Sequence, residues 1–304
     1  MNETFKDLIL HSDDFVIGKA DIVTLALTAI LAKGHLLIED IPGVGKTTMV
    51  KYLGKILGMN LGRIQCTNDL LPSDILGVHI FDEQKGQFIF KKGPIFNNLV
   101  LADELNRATP KTQSALLQVM EEYELTLDGE TFALPVPFYV IATQNPTEQV
   151  GTNPLPEGQI DRFLMGIHLN VPTAHDELRL LKSEKIGSKL DTIAPLINLE
   201  QLAIHQKKAA EIFSSEPILK YILDILNYTR SSHNLRSLSP RAGLDILRAA
   251  KAYAYIQGRD HVIPEDVQHI LPAVIGHRIN KGSRNEVGVG EQLALEIIGK
   301  IEIV

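Results

Sequence analysis

His35-Leu-Leu-Ile-Glu-Asp-Ile-Pro-Gly-Val-Gly-Lys-Thr47 reads as a strand entering a glycine loop, and Met49-Val-Lys-Tyr-Leu-Gly-Lys-Ile-Leu57 beyond it is apolar at helical spacing. Strand, loop and helix in that order decide the fold. Gly43 and Gly45 let backbone N–H groups close around phosphate oxygens, with Val44 and Thr48 completing the loop, and the helix start at Thr47 adds its partial positive charge. Lys46 is placed against the β- and γ-phosphates of a nucleotide, and the Thr47 hydroxyl is a ligand for Mg²⁺. The pattern G-x-x-x-x-G-K-[ST] opens here on Asp40 instead of glycine, which sets a carboxylate beside the phosphates and is expected to weaken their binding.

On both sides of this stretch, up to about residue 172, short apolar runs alternate with helical patterns, as in a parallel sheet flanked by helices. Five strands are predicted: His35–Glu39, Arg63–Thr67, Leu99–Asp103, Phe138–Thr143 and Met165–Leu169. From about residue 174 the pattern turns helical, with apolar spacing in Ile218–Tyr228, Leu244–Tyr255 and Val267–Ile275. Pro172-Thr-Ala marks the joint, so the chain divides into an α/β domain over 1–173 and a smaller all-helical domain over 174–304. Within the first domain, Val78 to Phe90 alternates apolar residues around Gly86, and Leu125 to Phe132 turns at Asp128-Gly129. These two hairpins, within inserts at about 70–92 and 124–134, are either solvated surface or projecting tools.

The 304 residues suit two domains of roughly 150. A 44% hydrophobic and 22% charged composition excludes a disordered or fibrous chain. A net charge of −7, with no run of five basic residues, argues against a nucleic-acid groove made by positive charge. Cys66 is the single cysteine and is expected to act as a small hydrophobe in a strand. The nearly apolar stretch Ile22–Ala32 is far short of the ~20 residues of a membrane span, and Met1–Phe15 carries acids where a signal peptide is apolar, so a soluble cytoplasmic chain is expected. The ten histidines show no ligand spacing, and no zinc site is expected.

Asn98-Leu-Val-Leu-Ala-Asp103-Glu104 is an apolar strand ending in two acids. Successive strand side chains face opposite ways, so Asp103 can serve magnesium through water while Glu104 polarises an attacking water. At the end of the next strand, Asn145 offers both donor and acceptor to the water or to a phosphate oxygen; its alternative reading is an Asx-turn before Pro146. Ser239 is a good N-cap and Pro240 a good first helical residue, which puts Arg241 in the first turn of a helix, where a cation opposes the dipole unless an anion faces it. The anion is a phosphate or a nearby acid. Arg162 follows Asp161 and reads from the residues alone as an ion pair or a nucleotide contact, and Arg107 is a secondary candidate.

Together these runs, with Gly93-Pro-Ile-Phe96, Leu101-Ala-Asp-Glu-Leu-Asn-Arg-Ala108, Pro110-Lys-Thr-Gln-Ser-Ala-Leu-Leu117, Ala142-Thr-Gln-Asn-Pro146, Leu155-Pro-Glu-Gly-Gln-Ile-Asp-Arg-Phe163 and Ser239-Pro-Arg-Ala242, resemble the AAA+ ATPases, and among them the MoxR family. The resemblance spans about residues 16 to 278. It implies a RecA-like five-stranded domain with a helical lid, assembled as a ring, usually of six, with ATP and Mg²⁺ between neighbours. Asn145 then matches sensor 1, Arg241 sensor 2, and Arg162 the arginine finger offered to an adjacent subunit. Val16-Ile-Gly18 matches the adenine-side stretch, and the hairpins match the helix-2 and pre-sensor-1 inserts, which touch substrate or partner. Gly158 stands where many relatives have Ala, which is expected to loosen the helix before Arg162. Asp40 is a residue that family sequences of this type also carry.

The function expected from all this is an ATP-hydrolysing ring that remodels or matures protein partners, commonly ones with a von Willebrand factor A domain. A nucleic-acid motor and a small-molecule kinase are the competing readings.

Overall fold

The computed structural model describes residues 1–40, 43–145, 151–182, 190, 192–281 and 288–302. Two helices, α1 (Glu3–Ser12) and α2 (Ala20–Leu31), lead into β1 (His35–Glu39), and α3 (Lys46–Ile56) follows the glycine loop. Then come β2 (Leu61–Gln65), α4 (Pro72–Leu76), the hairpin β3 (Gly77–Asp82) and β4 (Gln87–Lys92), β5 (Leu99–Asp103) and α5 (Pro110–Glu122). A second hairpin, β6 (Glu124–Leu127) and β7 (Glu130–Ala133), precedes β8 (Tyr139–Gln144), the short α6 (Glu157–Ile160), β9 (Phe163–Ile167) and α7 (Ala174–Lys182). The remaining described elements are α8 (Leu199–Ala210), α9 (Glu216–Ser231), α10 (Pro240–Ile256), α11 (Pro264–Ile279) and α12 (Val289–Ile298).

The main sheet has the order β2-β5-β8-β1-β9, and every pairing is parallel. It is the five-stranded α/β sheet expected. β1, β5 and β8 are buried on both faces until their last residue, as continuous apolar runs in a covered parallel sheet must be. Side chains alternate between two cores. Leu36, Ile38, Leu99 and Leu101 pack with α2, α3 and the C-terminal helices, while Leu37, Val100, Ala102 and Val140 pack with α5 and the hairpin bases. Cys66 is buried in the second core, where burial pushes its thiol up to about 12, in keeping with a small hydrophobe.

Three strands are offset from expectation, β8 by one residue and β2 and β9 by two. β9 ends at Ile167 rather than Leu169, because past it the backbone N–H groups of Leu169 and Asn170 leave the ladder and donate to the Asp40 carboxylate. β2 begins at Leu61, two residues early; as an edge strand it alternates buried and exposed residues and lacks a solid apolar run. The strand order puts β1 between β8 and β9 while the chain leaves β1 for the far side of β8, so a crevice opens at the carboxyl ends of these strands. The glycine loop, Glu104 and Asn145 all emerge there.

The hairpins pack on each other. Phe90 stacks on Phe132 with ring centroids 4.2 Å apart, and His79 Nδ1 lies 2.9 Å from Asp128 Oδ2. The outer end of the β3–β4 hairpin exposes Phe81 and Phe88, an edge-on pair at 5.3 Å.

Candidate active site

The glycine loop forms its cradle with backbone alone. Gly43 and Gly45 have φ of 89° and 96°, angles that L side chains rarely adopt, and nothing lies within 4 Å of where a Cβ would stand. Gly45 caps α3 without a side-chain hydrogen bond, leaving the first-turn N–H groups directed at open space. That space is a cavity of about 330 Å³ lined by Gly43, Gly45, Lys46, Thr47, Thr48, Asp103, Glu104 and Asn145. Val44 instead packs against the core. The geometry fits an anionic nucleotide.

Lys46 is buried, and its Nζ donates to the Asp40 carbonyl at 2.8 Å and to Asn145 Oδ1 at 3.1 Å. An ammonium has three donors, so one remains for a ligand. Burial pulls the Lys46 pKa below the usual lysine range, against the opposing pull of Asp40, Asp103 and Glu104. The Asp40 side chain does not line the cavity: it is buried and accepts from the backbone of Leu169 and Asn170, which removes the expected conflict with phosphate.

Thr143 sorts the two acids. Its hydroxyl donates to Asp103 Oδ1 at 2.8 Å and accepts from the Glu104 backbone N–H at 2.8 Å, which helps hold Glu104 at a φ of 56°. The other Asp103 oxygen pairs with Arg63 at 2.9 Å. Glu104 Oε1 accepts from Asn145 Nδ2 at 2.9 Å, and Oε2 from Arg107 at 2.8 Å. Asn145 therefore joins Lys46 to Glu104, with its amide oxygen on one and its nitrogen on the other. Thr47 and Asp103 give this cavity two oxygen donors, which suits Mg²⁺, an ion that keeps several waters and takes its other oxygens from phosphate. No cluster of three or more His, Cys, Asp or Glu side chains able to hold a metal occurs among the described residues.

Arg162 and Arg241 do not join this cavity. Both pair with Glu121 on α5, Arg162 at 2.9 Å and Arg241 at 2.8 Å, beside a separate cavity of about 190 Å³. Ser239 caps α10 by accepting from Ala242 N, so Arg241 does stand in a first helical turn, and the anion before it is the Glu121 carboxylate. Arg241 and Arg162 hold that carboxyl below its usual range. Val16 and Ile17 are buried, and Gly18 donates to Asp13, away from the glycine-loop cavity. Gly158 has nothing within 4 Å of a notional Cβ, so steric crowding does not account for glycine there. Pro146, Ile41 and Pro42 lie outside the described residues. Thr143, Arg63 and Glu121 contact the candidate site residues without being candidates themselves in the sequence; of the three only Thr143, at the end of a predicted strand, stands at a position that points to the site.

Residues 35–165 match the family model described as "ATPase family associated with various cellular activities (AAA)", and residues 235–296 match an AAA lid domain. Similar proteins include YeaC of Bacillus subtilis, described as uncharacterized, which is 42% identical over 96% of this chain and 92% of its own. Chaperone MoxR1 of Mycobacterium tuberculosis is 37% identical over 91% of this chain and 75% of its own. The chain belongs to the MoxR family of AAA+ ATPases. A crystal structure of an ATPase candidate from Cytophaga hutchinsonii superposes on this MoxR-family chain with a TM-score of 0.88 at 35% identity, covering 99% and 95% of the two chains. ATP hydrolysis is the activity of the family to which the chain belongs. No helix among the described residues is long and apolar enough to cross a membrane.

Proposed function

We propose that this MoxR-family ATPase hydrolyses ATP at a site shared by two copies of the chain and uses the cycle to remodel protein partners. The observation that carries the reading is the separation within one chain of Lys46, Glu104 and Asn145 from the two arginines on Glu121. Among the described residues no arginine lines the glycine-loop cavity, although phosphoryl transfer concentrates negative charge there. A neighbour in a ring, of six by resemblance, supplies Arg162, with Arg241 beside it.

In that shared pocket the loop N–H groups and Lys46 bind the β- and γ-phosphates, and Asn145 holds Glu104 at a fixed distance from Lys46. Glu104 orients and polarises the attacking water, and leaves its bond to Arg107 to do so. Thr47, and Asp103 through water, would hold Mg²⁺, which would supply charge neutralisation to the phosphates. Val16, Ile17 and Gly18 would border the adenine side. Residues 1–173 form the base and 174–304 the lid, whose movement on phosphate loss shifts the hairpins against a client or a partner with a von Willebrand factor A domain. The exposed Phe81 and Phe88 support a protein client. Lys85 lies 3.8 Å from Asp82, and Lys92 stands over Phe96, so these hairpin lysines are already engaged and the nucleic-acid reading is not adopted.

The test mixes Glu104→Gln chains, which have a dead pocket, with Arg162→Ala chains, which lack the finger. Each alone should release almost no phosphate, and the mixture should recover turnover. Failure to recover it rejects the shared site.

A further inference from the structure

Arg278 is the one arginine counted as buried among the described residues, with a side chain only 5% exposed, on the last turn of α11. A guanidinium removed from water persists only where several acceptors meet it. Here the acceptors surround one residue. NH2 donates to the Phe163 carbonyl at 2.8 Å and to the Asp161 carbonyl at 3.2 Å, the positions immediately after and before Arg162. Nε lies 3.2 Å from Asp161 Oδ1.

The same side chain reaches the helix that carries Arg241. NH2 stands 2.6 Å from Oδ2 of Asp245, itself buried, one helical turn beyond Arg241 on α10. Ser239, the cap of that helix, donates to the second Asp161 oxygen at 3.2 Å. The Asp161–Arg162–Phe163 turn and the start of α10 are thus tied through one buried guanidinium, whose Nη2 makes the hydrogen bonds to both. Glu121 gathers only the tips of the two arginines, whereas Arg278 fixes the backbones beneath them.

We propose that Arg278 is a positioning residue for the arginine pair: it locks the turn bearing Arg162 to the helix bearing Arg241, so both guanidiniums reach a neighbour's phosphates as one preset unit. This rests on the shared-site reading above. A displacement of about 1 Å at a reacting centre costs on the order of 10²-fold in rate, and a lysine's single nitrogen cannot keep both the three Nη2 contacts and the Nε approach to Asp161 Oδ1.

The experiment uses the full chain with Arg278→Lys, measuring kcat and KM for ATP alone and in mixtures with Glu104→Gln chains, whose own arginine pair is intact. Arg278→Lys should lower kcat by about ten- to a hundredfold with KM changed by less than about twofold. Adding Glu104→Gln chains should restore turnover, as it does for Arg162→Ala. A merely structural Arg278 would damage its own pocket and gain nothing from a neighbour. Unchanged kcat, or a loss not restored by Glu104→Gln where Arg162→Ala is restored, overturns the proposal. Asp245→Asn, which leaves Arg278 in place but removes its carboxylate, should show a smaller loss with the same restoration; if Arg278→Lys does not fold, this variant decides by the same two criteria. If Arg162→Ala is itself not restored, the shared site is wrong and this proposal falls with it.

Discussion

The glycine-loop cavity and the arginine cluster on Glu121 are made from opposite materials. One side is open backbone: two glycines at positive φ, an uncapped helix start, and a lysine with a donor to spare. Its counterpart is an ionic cluster whose two guanidiniums already share a carboxylate. Within one chain the phosphate-accepting half is unsatisfied and the cation-donating half is satisfied. The arginines are not costly to release, since Glu121 and Arg241 are 42% and 46% exposed and an ion pair this wet contributes about 0–1 kcal/mol. Replacing Glu121 by a neighbour's phosphates exchanges one anion for a denser one.

The contrast breaks most visibly at Glu104. Glu104→Gln should retain ATP and lose about 10³-fold in kcat, checked by phosphate release beside a nucleotide-binding assay; retained turnover would remove the chemistry from this side. Acid tests the arginine side, through the fold. His35 borders the arginine cavity, donates to the Met120 carbonyl through Nε2–H, and receives the Val140 N–H on Nδ1, an arrangement only the neutral ring satisfies. Burial lowers its pKa to about 4. Between about pH 6.5 and about pH 4 the unfolded chain therefore binds a proton that the folded chain refuses, and stability falls as pH falls through that window. Thermal unfolding followed from pH 7 to pH 4 should show the decline, and His35→Asn should lessen it, leaving the part that comes from His277, whose pKa burial lowers to about 3.

Lys46→Ala sharpens the contrast by removing the spare donor. Nucleotide affinity should drop by roughly 10- to 100-fold, the weight of a charge-assisted hydrogen bond of about 1.5–3 kcal/mol, as read by titration calorimetry. The smallest effect belongs to Glu121→Gln, which should move stability by less than about 1 kcal/mol in denaturant unfolding and leave nucleotide affinity unaltered. A large loss of affinity there would mean that the two halves are coupled inside one chain.

Legibility in the sequence followed how local each physical demand is. β1 and β5 were delimited to the residue, because a strand buried on both faces is an apolar run with sharp ends. β9 was extended too far because Leu169 is apolar, while its N–H is claimed by Asp40, 129 positions away in the chain. The glycine loop was legible because phosphate contact demands particular residue types in consecutive places. Arg63 on Asp103 was not, since that contact depends on β2 lying beside β5, a pairing no short stretch records. Asp40 was plain in position but, for the same reason, not in direction, because its carboxylate is held by Leu169 and Asn170 just past β9. The partner of Arg241 lies 120 positions upstream, so the residue was found and its acid was not.

Glu121 stands in the final turn of α5, and β6 opens at Glu124. Three steps of backbone, at most about 11 Å even when stretched, separate the carboxylate that parks the arginines from a hairpin clasped to its twin by Phe90 and Phe132. On the shared-site proposal, a pull on either hairpin would arrive, with almost no slack to absorb it, at the carboxylate that holds the two arginines.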